Sequence, residues 1–205
     1  MTHLTPGIGK AMQTIFGRAG VNYRMMDEGG GICCGRPLMQ LGQEKSAALM
    51  IKKNTDIILQ SNAGLLVTSC PICYKIFNEE YNLPIPVLHH TQYIEQLMDK
   101  DAIKFNHMGL SAVYHDPCDL GRNTGVYNPP RQVLRQLVNL MDVPYEREEG
   151  LCCGASTGNA VLTNDQRRKI AQDALKKLTE KKPDILVTAC PLCKKTFAGA
   201  GVQRV

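Results

Sequence analysis

Cysteine carries the reactive chemistry of this sequence. Five thiols in its second half run Cys118, Cys152-Cys153, Cys190 and Cys193, a spacing of C-x33-CC-x36-C-x2-C. The first half holds the same order with one member missing: Cys33-Cys34, then 35 residues, then Cys70 and Cys73. All nine cysteines of the 205-residue chain fall in these two sets. An odd count with two adjacent pairs suits metal or redox chemistry better than a disulfide frame. A structural zinc takes four ligands, and an ordinary cubane iron–sulfur cluster takes four cysteines. Five converging thiolates exceed both. An opened-out cluster, with one thiolate bridging irons, could use the fifth.

Thiols so far apart in sequence need a repeated scaffold to bring them together. Cys33 and Cys152 stand 119 residues apart, and Cys70 and Cys190 stand 120 apart. Two detailed motifs at one period mark an internal duplication. We expect a first domain with linker over 1–105 and a second domain over 106–205.

In the first copy, apolar spacing predicts a helix over 6–19 that stops at Gly20, then a strand over Val21–Met26. Gly29-Gly30-Gly31 reads as a tight loop or as backbone open to a bulky cofactor. A helix is expected over Gln43–Asn62, with Ala47, Ala48, Ile51, Ile57 and Ile58 near one face and Gly64 as its stop. Leu65–Thr68 reads as a buried parallel strand, and Pro71 opens a helix running to about Tyr81. Two prolines make Leu83–Leu88 an edge strand at best. His89-His90 reads as a loop or partner contact, with metal ligation the lesser alternative, and Thr91 as the cap of a helix to Met98.

The second copy reads as a strand over Ser111–Tyr114, a helix over Pro130–Met141 and a strand over Pro144–Arg147. A helix from Thr163 or Asn164 to about Glu180, a strand over Asp184–Thr188 and a terminal helix follow. Val133, Leu134, Leu137 and Leu140 should face inward, as should Ile170, Ala171, Ala174, Leu175 and Leu178. The fold class is therefore α/β, with parallel sheets and right-handed crossovers. Each cysteine group of this copy follows a predicted strand. That would deliver the thiols to the carboxyl ends of the strands, where such sheets bind ligands. Helix N-termini there favour anionic thiolates.

Gly-Leu-Cys-Cys-Gly-Ala, Leu-Val-Thr-Ala-Cys-Pro-Leu-Cys-Lys and Asp-Pro-Cys-Asp-Leu-Gly-Arg resemble the wording of the cysteine-rich CCG domain. That family includes the cysteine-rich subunit of heterodisulfide reductase. It also includes the iron–sulfur subunits of glycolate oxidase, anaerobic glycerol-3-phosphate dehydrogenase and lactate utilisation complexes. The resemblance covers nearly the whole chain. It implies two repeated Rossmann-like CCG domains and a non-cubane [4Fe-4S] cluster on Cys118, Cys152, Cys153, Cys190 and Cys193. It also implies a second [4Fe-4S] cluster or zinc on Cys33, Cys34, Cys70 and Cys73. The first copy's missing cysteine would fall just before Met1, with its strand, so the sequence reads as the C-terminal part of a longer protein or as a split subunit. The ferredoxin domain common in relatives is not in this sequence.

Three functions follow from the resemblance. The first is an electron-transfer subunit of an oxidoreductase complex. It would take electrons from a flavin dehydrogenase of lactate, glycolate or glycerol-3-phosphate type and pass them toward a quinone or carrier. The second is a thiol–disulfide reductase subunit with a catalytic cluster. The third is a zinc-stabilised interaction module. A flavin-containing dehydrogenase subunit and a ferredoxin-type iron–sulfur subunit are the expected partners.

The net charge of +5 is spread along the chain, so no basic run points to nucleic acid. No segment reaches the roughly 18–20 apolar residues that span a bilayer, and the first residues lack a signal-peptide pattern. We expect a cytoplasmic protein, or one held at the inner face of the cytoplasmic membrane through a complex. His115 and Asp116 stand beside Cys118 as candidates for tuning a cluster or moving a proton, although Asp116 before Pro117 also suits a plain turn. Lys194 and Lys195 read as helix-surface lysines or partner contacts. Gly7-Ile-Gly9 lacks the rest of a nucleotide-binding fingerprint.

Overall fold

The structure, a computed structural model, describes residues 5–26, 33–155, 161–202 and 205. The chain divides into two compact units, Met1–Ile103 and Lys104–Val205. Each unit packs helices around a small parallel sheet.

The first unit runs α1 (Pro6–Arg18), α2 (Arg36–Gln40), α3 (Glu44–Gln60), β1 (Leu66–Thr68), α4 (Pro71–Glu79), β2 (Val87–His89) and α5 (His90–Asp99). β1 pairs in parallel with β2, Leu66 opposite Val87 and Thr68 opposite His89. Cys34, Ile58, Ile76 and Tyr81 form a buried cluster in this unit. The second unit runs β3 (Ser111–His115), α6 (Asn128–Leu137), β4 (Asn139–Leu140), α7 (Asn164–Leu178), β5 (Ile185–Thr188) and α8 (Pro191–Ala200). Its sheet has the order β4-β3-β5, with both pairings parallel. Leu178, Leu186, Val113 and Phe197 form one core with Cys153, Cys190 and Cys193. The thiols therefore line the apolar interior.

Local chemistry explains the helices that carry the site. Pro71 and Pro191 open α4 and α8. The position needs no N–H, and the ring presets a helical φ. Thr163 caps α7 through a reciprocal pair: its hydroxyl accepts from Gln166 N at 3.2 Å, and its own N–H donates to Gln166 Oε1 at 2.8 Å. Ala171, Ala174, Leu175 and Leu178 then face the core, the periodicity expected of a one-faced helix.

Several expectations need correction. Val21–Met26 is not a strand, and Asn22, Tyr23 and Arg24 are exposed there. Its counterpart in the repeat, β4, exists by pairing with β3; counting back 119 residues from β3 leads to positions before Met1. The glycines at 29–31 lie outside the described residues. Ala48 is exposed rather than on the buried face. β1 is half-buried rather than buried. The cap of α5 is His89, not Thr91. Gln92 Oε1 accepts from the His89 N–H at 2.9 Å, and Thr91 is a buried residue that meets His89 Nδ1 at 2.8 Å. His89 and His90 thus close β2 and open α5 instead of forming a loop. α6 ends at Leu137, and Leu140 lies in β4. Pro144–Arg147 is not a strand; a 3-10 turn over Arg147–Glu149 precedes Cys152. Arg147 has φ +57 there, outside the extended region that a ladder requires.

Candidate metal centre

The Cys-Pro-x-Cys motif is a local device. Cys70 and Cys190 hold extended backbone at the N-caps of α4 and α8, and Cys73 and Cys193 follow in the first turn. Each cap carbonyl accepts the first helical bond, from Tyr74 N and Lys194 N, both at 2.9 Å. Both sulfurs of a motif therefore sit at a helix N-terminus, where unpaired N–H groups favour negative charge. The Cys70 thiol is lowered chiefly by its contact with Cys73, then by the N–H groups of Cys73 and Ile72, against the opposing effect of burial.

The Cys-Cys-Gly motif is the second device. In each copy the glycine N–H points at the first sulfur: Gly35 N lies 3.5 Å from Cys33 Sγ and Gly154 N lies 3.3 Å from Cys152 Sγ. Both glycines lie in the left-handed region, at φ +93 and +81. At Gly154 a Cβ would also stand 2.6 Å from the Arg167 carbonyl oxygen. Only glycine turns the chain here without a clash.

In the second unit the devices converge. Cys193 Sγ and Cys153 Sγ are 3.2 Å apart. Contact with Cys153, then with Cys190, holds the Cys193 thiol well above its ordinary range, while Cys153 is lowered by accepting from Cys193. Burial pushes Cys118 up to about 11, helped by the Asp119 carboxylate and by the charges of Cys152 and Cys153. All five predicted residues thus lie within mutual electrostatic reach, and three of them touch. Among the described residues no three His, Cys, Asp or Glu side chains stand in single-ion coordination geometry. The sulfurs instead share protons. Buried thiols in contact cannot all ionise without a cation, so this donor set fits a metal centre that takes up the charge and releases protons.

Cys118 and Cys190 follow β3 and β5 directly, whereas Cys152-Cys153 follows no strand. Polar anchors hold that loop instead. Asp116 takes a two-pronged pair from Arg131, at 2.8 and 2.6 Å, and accepts from Arg147 N at 2.8 Å. Arg131 also reaches Glu146 at 2.9 Å and lies over the Tyr114 ring. Arg122 donates to the carbonyls of Gly150 and Glu148. Asp116 is therefore an ion-pair anchor rather than a plain turn residue. His115 is buried, and burial pushes its pKa down to about 4; both ring nitrogens are engaged, with Leu151 O at 2.9 Å and Thr188 Oγ1 at 3.2 Å. Lys194 Nζ donates to Val205 O.

The first unit brings Cys34, Cys70 and Cys73 together. Cys34 is lowered to about 7, chiefly by the contact with Cys73, which is itself raised well up. Cys33 is exposed. Its loop is held by a pair that the motif does not announce. Asn54 Nδ2 donates to Cys33 O at 2.9 Å and to Tyr81 Oη at 2.8 Å, and Tyr81 donates to Cys34 O at 3.1 Å. Asn54→Ala strips a buried donor from both acceptors. It is expected to cost about 1–3 kcal/mol and to speed alkylation of Cys34 while leaving Cys153 and Cys193 unchanged. Equal urea midpoints and equal labelling in variant and parent would show that this pair does not hold the loop.

Comparison with known proteins agrees with this geometry. A family model described as "CCG: Cysteine-rich domain" matches residues 1–78 and 112–198. One subunit of the dihydromethanophenazine:CoB--CoM heterodisulfide reductase of Methanosarcina acetivorans is 30% identical over 199 residues, covering 91% of this chain and 48% of that protein. The EtfAB:quinone oxidoreductase of Syntrophomonas wolfei is 27% identical over 203 residues, 93% of this chain and 28% of that protein. One subunit of the fumarate reductase (CoM/CoB) of Methanothermobacter marburgensis is 26% identical over 196 residues, 92% and 38%. The chain spans about half the length of the first relative and less of the other two.

Proposed function

This chain belongs to the family of cysteine-rich CCG-domain proteins and carries two copies of the domain, and on that premise we propose that it is an iron–sulfur electron-transfer subunit of an oxidoreductase complex. Cys118, Cys152, Cys153, Cys190 and Cys193 would hold a non-cubane [4Fe-4S] cluster at the carboxyl ends of the strands of a Rossmann-like unit. Cys33, Cys34, Cys70 and Cys73 would hold a second cluster or zinc. When bound, an iron–sulfur cluster supplies one-electron transfer. The protein's own residues bury the sulfurs, aim N–H groups at them and fix the loops that bear them. N–H···S bonds and burial are the levers that set cluster potential.

The observation that carries this reading is the contact among Cys153, Cys190 and Cys193, with Cys118 and Cys152 close by, on the C…CC…CxxC spacing. A flavin-containing dehydrogenase subunit, of lactate, glycolate or glycerol-3-phosphate type, would deliver electrons. A ferredoxin-type subunit, a quinone or another carrier would accept them. The similarity to an EtfAB:quinone oxidoreductase supports this direction. The similarity to part of a heterodisulfide reductase supports a second reading, in which the centre itself reduces a disulfide. Among the described residues no helix is long and apolar enough to cross a membrane. We place the chain in the cytoplasm or at the inner face of the cytoplasmic membrane within a complex.

The test is metal analysis of the anaerobically purified or reconstituted chain. We expect about four irons and four sulfides in the second unit, and a paramagnetic spectrum that Cys153→Ser abolishes or changes. Zinc alone, with no iron taken up, would replace this reading with a zinc-stabilised interaction module. Turnover of a heterodisulfide by the reconstituted chain would favour the second reading.

A further inference from the structure

We propose that His115 is the positioning residue that holds all three cysteine-bearing segments of the second unit in register, an inference that rests on the metal-centre reading above. His115 is the last residue of β3 and lies three positions before Cys118. Its Nε2 is 2.9 Å from the carbonyl oxygen of Leu151, the residue before Cys152. Its Nδ1 is 3.2 Å from Oγ1 of Thr188, the last residue of β5 and two before Cys190. Phe197 of α8, the helix opened by Cys190-Pro191, meets the imidazole edge to face at 4.7 Å and 80°. One ring therefore touches the segment leading to each cysteine group.

The chemistry of the partners selects the ring state. A carbonyl oxygen only accepts, so Nε2 carries the proton. Nδ1 is then a lone pair, and the Thr188 hydroxyl donates to it. A neutral imidazole offers one donor and one acceptor in a rigid plane, directed to different sides. No other side chain of this size does so. Glutamine can reproduce the donor arm, and phenylalanine can reproduce only the shape. The ring is 1% exposed, so water cannot replace either bond, and a lost arm leaves a buried group unpaired. The Cys152-Cys153 loop has no ladder of its own, and the Leu151 bond links it directly to the end of β3. In the first unit a different pair, Asn54 and Tyr81, holds the equivalent loop. The loop must be held in both copies, and the means differ.

The test compares thiol alkylation in the full metal-free, reduced chain, with Cys34, Cys70 and Cys73 as internal controls. His115→Phe keeps the ring and its packing on Phe197 but removes both arms. We expect labelling of Cys153 and Cys190 to rise about tenfold with the controls unchanged. His115→Gln should restore slow labelling of Cys153 but not of Cys190. Thr188→Val should loosen Cys190 alone, by about threefold. After reconstitution, His115→Phe should hold less iron, with an altered paramagnetic spectrum, and His115→Gln should recover part of both. Unchanged labelling of Cys153 and Cys190 in His115→Phe overturns the proposal, as does a uniform rise that includes the controls. Should His115→Phe fail to fold, the Gln and Val variants decide, and labelling equal to the parent in both overturns it. Iron uptake by the parent chain tests the metal-centre reading separately: a parent that binds no iron sinks that reading while the labelling pattern still decides whether His115 holds the three segments.

Discussion

Arg131→Met is expected to destabilise the second unit by about 3–5 kcal/mol, because it leaves a buried carboxylate without its cation. Arg131 is 2% exposed and Asp116 is 3% exposed. The guanidinium meets Asp116 through two parallel bonds, reaches Glu146 and the Tyr127 carbonyl at 2.9 and 3.0 Å, and covers the Tyr114 ring. Methionine matches the length of the stem but supplies no donor. Asp116 would retain only the Arg147 N–H among these partners. The exposed pair Lys52–Asp56 on α3 gives the contrast, with side chains 76% and 53% exposed. Lys52→Ala should cost no more than about 0.5 kcal/mol. The double variant Arg131→Met, Asp116→Asn should be more stable than Arg131→Met alone, since the stranded charge is gone. Urea unfolding of the metal-free chain measures all of these. A loss under about 1 kcal/mol for Arg131→Met would mean that solvent reaches Asp116 and that the pair is not an anchor.

The parts legible in the sequence share a cause. Cys-Pro-x-Cys and Cys-Cys-Gly act through their own backbone: a proline at a helix start, a glycine at positive φ, N–H groups within three residues of the sulfur. Such features travel with the motif, and the duplication displays them twice. β1, β3 and β5 are short apolar runs followed at once by a motif, so their positions were legible too. β4 was not. It has two residues and exists because β3 lies beside it, and no local pattern distinguishes two paired residues from a turn. Pro144–Arg147 looked extended, yet Asp116 draws the Arg147 N–H to its carboxylate and the chain turns there.

The polar anchors were hidden for another reason. Each joins residues distant in sequence, and a helical pattern assigns polar residues to solvent. Asn54 nevertheless lies on the same stripe as Ala47, Ile51 and Ile58, and Arg131 lies three residues before buried Leu134. A polar residue at an apolar position of the stripe was the available signal, because burial without a partner is costly. What such a residue contacts could not be read from the helix that carries it.

Phe197→Ala is the other large loss we expect, about 3–5 kcal/mol, from removing a fully buried ring whose space the neighbours cannot close. Phe197 is 0% exposed and shares its core with Leu178, Leu186, Val113 and the sulfurs of Cys153, Cys190 and Cys193. Its ring also meets His115. The cavity would therefore open beside both the core and the imidazole that links the cysteine segments. Phe197→Leu, which refills most of the volume, should cost about 1–1.5 kcal/mol. The order parent, Leu, Ala should appear in urea midpoints and, in the same order, in rising alkylation of Cys190 and Cys193 in the metal-free chain. Because the first unit has its own core around Ile58, Ile76 and Tyr81, amide exchange in α3 and α4 should stay slow in both variants. Equal losses for Leu and Ala would show that the edge of the ring against His115, which neither replacement supplies, matters more than the volume. Fast exchange in α3 and α4 would show instead that the two units unfold as one.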